Sequence, residues 1–140
     1  MKALKKHWKS AGVMAGAAAT VLMVAGPASA TAVVGAEVPG ARGEMAVDWV
    51  SNKTANPIDL KVTDTEADGR VAKMRVVAST GSGQKAYAWR TASGQWANTK
   101  AVTHLTDSST IYWLRIEVCR VSNAGPEQCS LSGKISNPYA

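Results

Sequence analysis

Cys119 and Cys129 are the only cysteines in the chain, and they flank its most strongly strand-patterned stretch. Thr110 to Val118 reads Thr-Ile-Tyr-Trp-Leu-Arg-Ile-Glu-Val, rich in β-branched and aromatic residues. Tyr112, Leu114, Ile116 and Val118 fall on one face at period two. Asn123-Ala-Gly-Pro126 is turn chemistry, because Gly125 tolerates positive φ and Pro126 has no N–H for a ladder. Cys129-Ser-Leu-Ser-Gly-Lys-Ile135 then reads as the returning strand. Nine residues lie between the cysteines, a closure short enough for a bridge at the end of a hairpin. Parity sets a condition on it. Cys129 shares a face with Leu131 and Ile135, whereas Cys119 is out of phase with Leu114, Ile116 and Val118. A plain cross-strand cysteine pair would set Leu114 and Ile116 beside Lys134 and Ser132, so a β-bulge near Cys119 to Val121 is expected to restore the register.

The first thirty residues belong to a different kind of segment. Lys2, Lys5, Lys6 and Lys9 form a basic start, Ala11 to Ala25 is apolar, Gly26-Pro27 breaks it, and Ala28-Ser-Ala30 is a small-x-small cleavage site. This pattern predicts a secretory signal peptide over residues 1–30, cut after Ala30 or, as the alternative, after Ala32. An uncleaved anchor is the competing reading, but the apolar run is shorter than the ~20 residues a spanning helix needs. The mature chain is therefore expected to be extracellular and without stable membrane insertion. Four of the 16 Lys and Arg go with the signal, which leaves 12 against 10 Asp and Glu and lowers the net charge from +6 to +2. No basic stripe survives that removal, so nucleic acid is not an expected partner. An exported chain with two cysteines predicts one disulfide.

After residue 30 no helical periodicity of useful length appears. Thr31 to Gly43, with three Gly and one Pro, reads as a flexible leader. Met45, Val47 and Trp49 alternate as a first strand, and Ile58, Leu60 and Val62 alternate strictly with polar neighbours. Val71 to Ser79 places Ala72, Met74 and Val76 opposite Lys73 and Arg75. Lys85 to Thr91 is another strand, and Gln95 to Thr106 holds one or two more. Six or seven short strands with polar turns predict an all-β fold, a small antiparallel β-sandwich over residues 44–140 closed by one disulfide.

Two resemblances attach to these residues. Cys119, Gly125-Pro126, Cys129-Ser130 and Asn137-Pro-Tyr139, behind an Ala-rich signal, resemble small exported actinobacterial proteins of unknown function. Arg115-Ile-Glu-Val118 followed by Asn123-Ala-Gly-Pro126 is similar to the end of fibronectin type III modules, which implies sandwich architecture. Neither carries a catalytic residue.

Candidate sites follow from residue chemistry. Asp64, Glu66 and Asp68, with Gly69, resemble the opening of an EF-hand loop and are the calcium candidates. Arg75 stands where the bidentate carboxylate belongs, so a solvated turn is the competing reading. His104 is the only mature histidine, and Asp107, Ser108 and Ser109 near it in sequence do not make a triad. No catalytic residue and no cofactor is expected. The mature chain has four Trp, three Tyr and no Phe, so Trp49 and Trp113 are expected in the core. Tyr87, Trp89 and Trp96 are the candidates for an exposed platform that stacks on a sugar or anchors a partner. The expected function is a non-enzymatic binding module for an extracellular polysaccharide or a secreted protein. Inhibition of a secreted enzyme through the loop Ser122 to Gln128 is the further alternative.

Overall fold

The computed structural model describes residues 30–121 and 126–140. The expected signal peptide, Ala30 excepted, and most of the proposed inhibitory loop therefore lie outside the described residues. Among the described residues, ten strands form two antiparallel sheets. They are β1 (Ala32–Val38), β2 (Ala41–Ser51), β3 (Thr54–Asp64), β4 (Val71–Thr80), β5 (Gly83–Ala86), β6 (Arg90–Ser93), β7 (Asn98–Thr106), β8 (Ile111–Val121), β9 (Gln128–Leu131) and β10 (Ile135–Ser136). The order β1-β2-β3-β7 makes the first sheet. In the second, β4 and β8 pair along their length, β5 and β6 share the free side of β4, and β9 and β10 share the free side of β8. The expected all-β sandwich with one disulfide is what the chain forms.

Alternation builds the interior. Met45, Ile58, Met74, Leu114 and Ile116 are buried with Val47, Val62 and Val118, one face of each long strand meeting the other sheet. Trp49 joins this core as expected, at 5% exposure. Trp113 does not: it lies half-buried on the outside of the second sheet. Its parity is opposite to that of Leu114 and Ile116, which is the reason; a register shift between Ser79 and Thr80 acts instead on its neighbour. Ser79 faces Trp113 while Thr80 faces Ile111, so Tyr112 is the extra residue of a bulge. Tyr112 is thereby turned out to 48% exposure, away from the face of Leu114 and Ile116 on which strict parity placed it.

The reading of Thr31 to Gly43 as a leader is corrected. Ala32 to Val38 pairs residue for residue with Val47 down to Ala41. The inward Ala32, Val34 and Ala36 pack on the core. Small residues conceal the strand in the sequence, and they are also what its crowding permits: Gly43 has Val118 directly above its backbone. The domain thus begins near Ala32, not residue 44.

The disulfide also differs from expectation in its surroundings. Cys119 and Cys129 are a plain cross-strand pair, on the outer face where Cys119's own parity puts it. The register correction comes later. Two residues lie between Leu114 and Glu117 on β8, but three lie between Leu131 and Ile135 on the partner side. The extra residue lies within Ser132 to Lys134, where Ser132 N–H donates to Ile116 O and Ser132 Oγ accepts from Ile116 N–H, both at 2.9 Å. Leu131 is therefore exposed while Ile135 is buried.

At one end of the sandwich Asp107 accepts from Ser109 N–H at 2.9 Å and Ser109 Oγ at 2.7 Å, and Lys85 binds its other oxygen at 2.5 Å. The Lys85 ammonium, followed by the two Ser109 donors, holds the carboxyl well below the usual carboxylate range. A depressed folded-state value contributes stability above the unfolded value near about pH 4, and loses it as pH falls through the folded value. Asp107→Asn is expected to melt earlier than wild type at neutral pH, with the gap narrowing steadily as pH falls below about 4. Paired thermal melts check this; a gap independent of pH would contradict it.

Candidate functional site

The outward face of the second sheet collects cations and tryptophans. On β4 it carries Lys73, Arg75 and Val77, and on β8 Trp113, Arg115, Glu117 and Cys119. Register sets the rows: Lys73 faces Cys119, Arg75 faces Glu117, and Val77 faces Arg115. Trp89 reaches the same face from the β5–β6 side, with Lys73 Nζ 4.3 Å and the Arg75 guanidinium 4.4 Å from its ring centre. Trp113 has Arg115 at 5.0 Å and Lys134 at 4.5 Å. Both distances are within the reach of cation–π attraction.

The cations divide into two classes. Arg75 pairs with Glu117 at 2.6 Å, and Lys73 pairs with Glu127. Arg115 and Lys134 pair with no carboxylate among the described residues. Arg115 Nε is enclosed and has no hydrogen-bond partner. A cavity of about 330 Å³ opens beside it, with Val77, Arg75, Arg115, Glu117, Lys85 and Leu131 in its lining. A desolvated donor without an acceptor is costly to leave unmade, and the Arg115 side chain also lines the cavity, where an anionic group would meet its charge.

No family model, curated protein or solved structure matches the chain. The site therefore rests on its own chemistry.

The platform residues are not brought together. Val77 faces Ala86 and Met74 faces Arg90, so the two residues between them on β4 oppose three on its neighbour. That one-residue shift puts Tyr87 against the core and Trp89 on the outer face. Trp96 is 66% exposed, in a turn of its own with φ of 61°. Asp64 holds that turn: its carboxylate accepts from Gly94 N–H at 2.9 Å and from Glu66 N–H at 3.1 Å, and its carbonyl accepts from Trp96 N–H at 2.7 Å.

The calcium candidates are likewise divided. Asp64 is buried in those backbone bonds, and Glu66 and Asp68 both pair with the buried Arg120. A guanidinium from β8 sits where the acidic turn would have met a cation. His104 is exposed on β7, while Asp107 is engaged by Lys85 and Ser109. Cys119, Cys129 and Glu117 cluster closely, but the two sulfurs are bonded to each other.

A larger concavity of about 540 Å³ lies over the first sheet, with Val33, Ala46, Asp59 and Val102 in one cross-strand row. Its charges are mixed, Glu44 facing Lys61 and Lys61 facing Lys100, and its lining holds no aromatic ring. The smaller outer-face cavity has the more specific chemistry. Arg115 and Lys134 are the residues that sequence reasoning passed over. The parity that puts Leu114 and Ile116 inside also puts Trp113 and Arg115 outside, so half of the site was open to inference. Lys134 was not, since it depends on the register shift at Ser132 to Lys134.

Proposed function

We propose that the protein is a secreted, non-enzymatic binding module that takes an acidic polysaccharide on the outer face of its second sheet, at Tyr112, Trp113, Arg115 and Lys134. One observation carries this reading. Two cations lie over a single tryptophan with no carboxylate partner among the described residues, and one of them holds an enclosed, unbonded N–H. Rings at Tyr112 and Trp113 suit stacking on sugar faces, and Arg115 suits a planar carboxylate.

Immobilised polygalacturonate, with dextran as the neutral control, tests this directly. Wild type is expected to be retained on polygalacturonate alone and released by salt, because the charges are near the surface. Arg115→Ala with Lys134→Ala is expected to abolish retention while leaving the melting temperature within a few degrees. Retention unchanged by the double substitution would reject the assignment.

The proposal also places the protein outside the cell. Protein recovered from culture medium is expected to begin at Thr31, or at Val33 by the alternative cut. Sequencing of its N-terminus decides this, and an intact Met1 would count against export through a cleaved signal.

A further inference from the structure

The same register shift that separates Tyr87 from Trp89 opens a second site between the sheets. β5 and β6 are four residues each, and Tyr87 to Trp89 leave the ladder between them. A cavity of about 230 Å³ enters the sandwich there. Its floor is core: Ile58, Leu60, Val76 and Leu105, none more than 6% exposed. Its more exposed lining, at the mouth, is Tyr87, Ala88, Arg90, Thr103 and His104.

Arg90 is the unusual member. It faces Met74, which is fully buried, and Ala92 two residues on faces buried Ala72. The Arg90 side chain therefore starts on the inward side of the sheet, and it has no ion-pair partner among the described residues. A guanidinium at the mouth of an apolar slot matches a ligand with an anionic head and an apolar tail. The size is informative. An engineered cavity of roughly 150 Å³ accepts benzene, and drug-sized ligands need pockets of roughly 300 Å³ or more. The ligand is accordingly small.

We infer that this slot binds a small monocarboxylate, with its carboxylate on Arg90 and its apolar tail against Ile58, Leu60, Val76 and Leu105. The site is independent of the polysaccharide face, since Arg90 starts on the opposite side of the sheet from Arg115 and Lys134. An inward charge at a sheet edge also serves to discourage edge-to-edge pairing, and the experiment separates that role from ligand binding.

The purified protein, methyl-labelled, is titrated with sodium hexanoate and with hexanol and followed by NMR. Hexanoate is expected to give saturable shifts at the methyls of Ile58, Leu60, Val76 and Leu105, with none at Ile135, which lies on the strand beyond β8. Hexanol is expected to bind about tenfold more weakly, and Arg90→Gln to reduce hexanoate affinity by a similar factor. Three results would overturn the inference: no saturable shift in wild type, equal affinity for hexanol and hexanoate, or unchanged hexanoate affinity in Arg90→Gln. Self-association of Arg90→Gln without hexanoate binding to wild type would assign Arg90 to edge protection alone.

Discussion

Arg120→Ala is expected to lower stability by about 2–4 kcal/mol. Arg120 is 7% exposed near the end of β8 and joins three segments. Its guanidinium donates to Pro39 O at 3.0 Å, pairs with Glu66 at 2.6 Å, and pairs with Asp68. Removing it leaves the β1–β2 turn without its donor and two carboxylates side by side. Those carboxylates are partly exposed and can rehydrate, which keeps the loss at the lower end for a buried pair. For a domain of this size the melting temperature should fall by roughly 10–20 °C. Gly40→Ala approaches the same point from the other side. Gly40 has φ of 85°, and a Cβ there would press on the Arg120 guanidinium. The two substitutions should therefore not add. With Arg120 already gone, alanine at 40 should cost only the roughly 1–2 kcal/mol of a left-handed backbone. Denaturant melts of the four proteins measure this; additive losses would show that the turn and the guanidinium are not coupled.

Loss of the disulfide is expected to have an effect of similar size. Cys119 is 1% exposed and faces Cys129 directly across the β8–β9 ladder. The bridge closes a short loop, for which chain entropy gives about 3 kcal/mol. β9 has four residues and β10 two, so beside their short ladders this bond anchors β9, while the Ser132–Ile116 pair, buried Ile135 and Asn137 anchor the chain beyond it. Asn137 Nδ2 donates to Ser51 O at 3.1 Å and to Ile111 O at 2.9 Å, which should keep β10 in place when the bridge is cut. Cys119→Ser with Cys129→Ser should thus melt roughly 10–20 °C earlier. Hydrogen exchange should quicken at Gln128 to Leu131 before it does at Ile135 and Ser136. Equal quickening across both strands would place the anchor elsewhere.

How far the sequence anticipates this molecule depends on how local each signal is. β3, β4 and β8 were legible because Ile58-Leu60-Val62, Ala72-Met74-Val76 and Leu114-Ile116-Val118 alternate within one strand. β1 was not, since alanines and glycine carry little pattern and only pairing with β2 gives them a face. One-residue shifts were the other obstacle. The shift near Tyr87 to Trp89 dismantled a platform that plain parity had assembled, and the bulge at Tyr112 moved a ring from the expected core to the surface. Parity inverts at each such point, and the residues around them do not announce it. Arg120 was illegible for a different reason: its partners lie 54 and 81 residues away. The candidate site was half legible, through the outward parity of Trp113 and Arg115, and its cations needed the tertiary fold to show which of them lack a carboxylate.

The location of the polysaccharide tests the central claim most directly. In a titration of labelled protein with short galacturonate oligomers, amide and side-chain shifts should concentrate at Tyr112, Trp113, Arg115 and Lys134, with the indole N–H of Trp113 among the most affected. Lys61, Lys100 and Val102 over the first sheet should stay unmoved. Saturable shifts centred on that first sheet, or no shifts at any oligomer concentration, would contradict the assignment of the outer aromatic face as the binding surface.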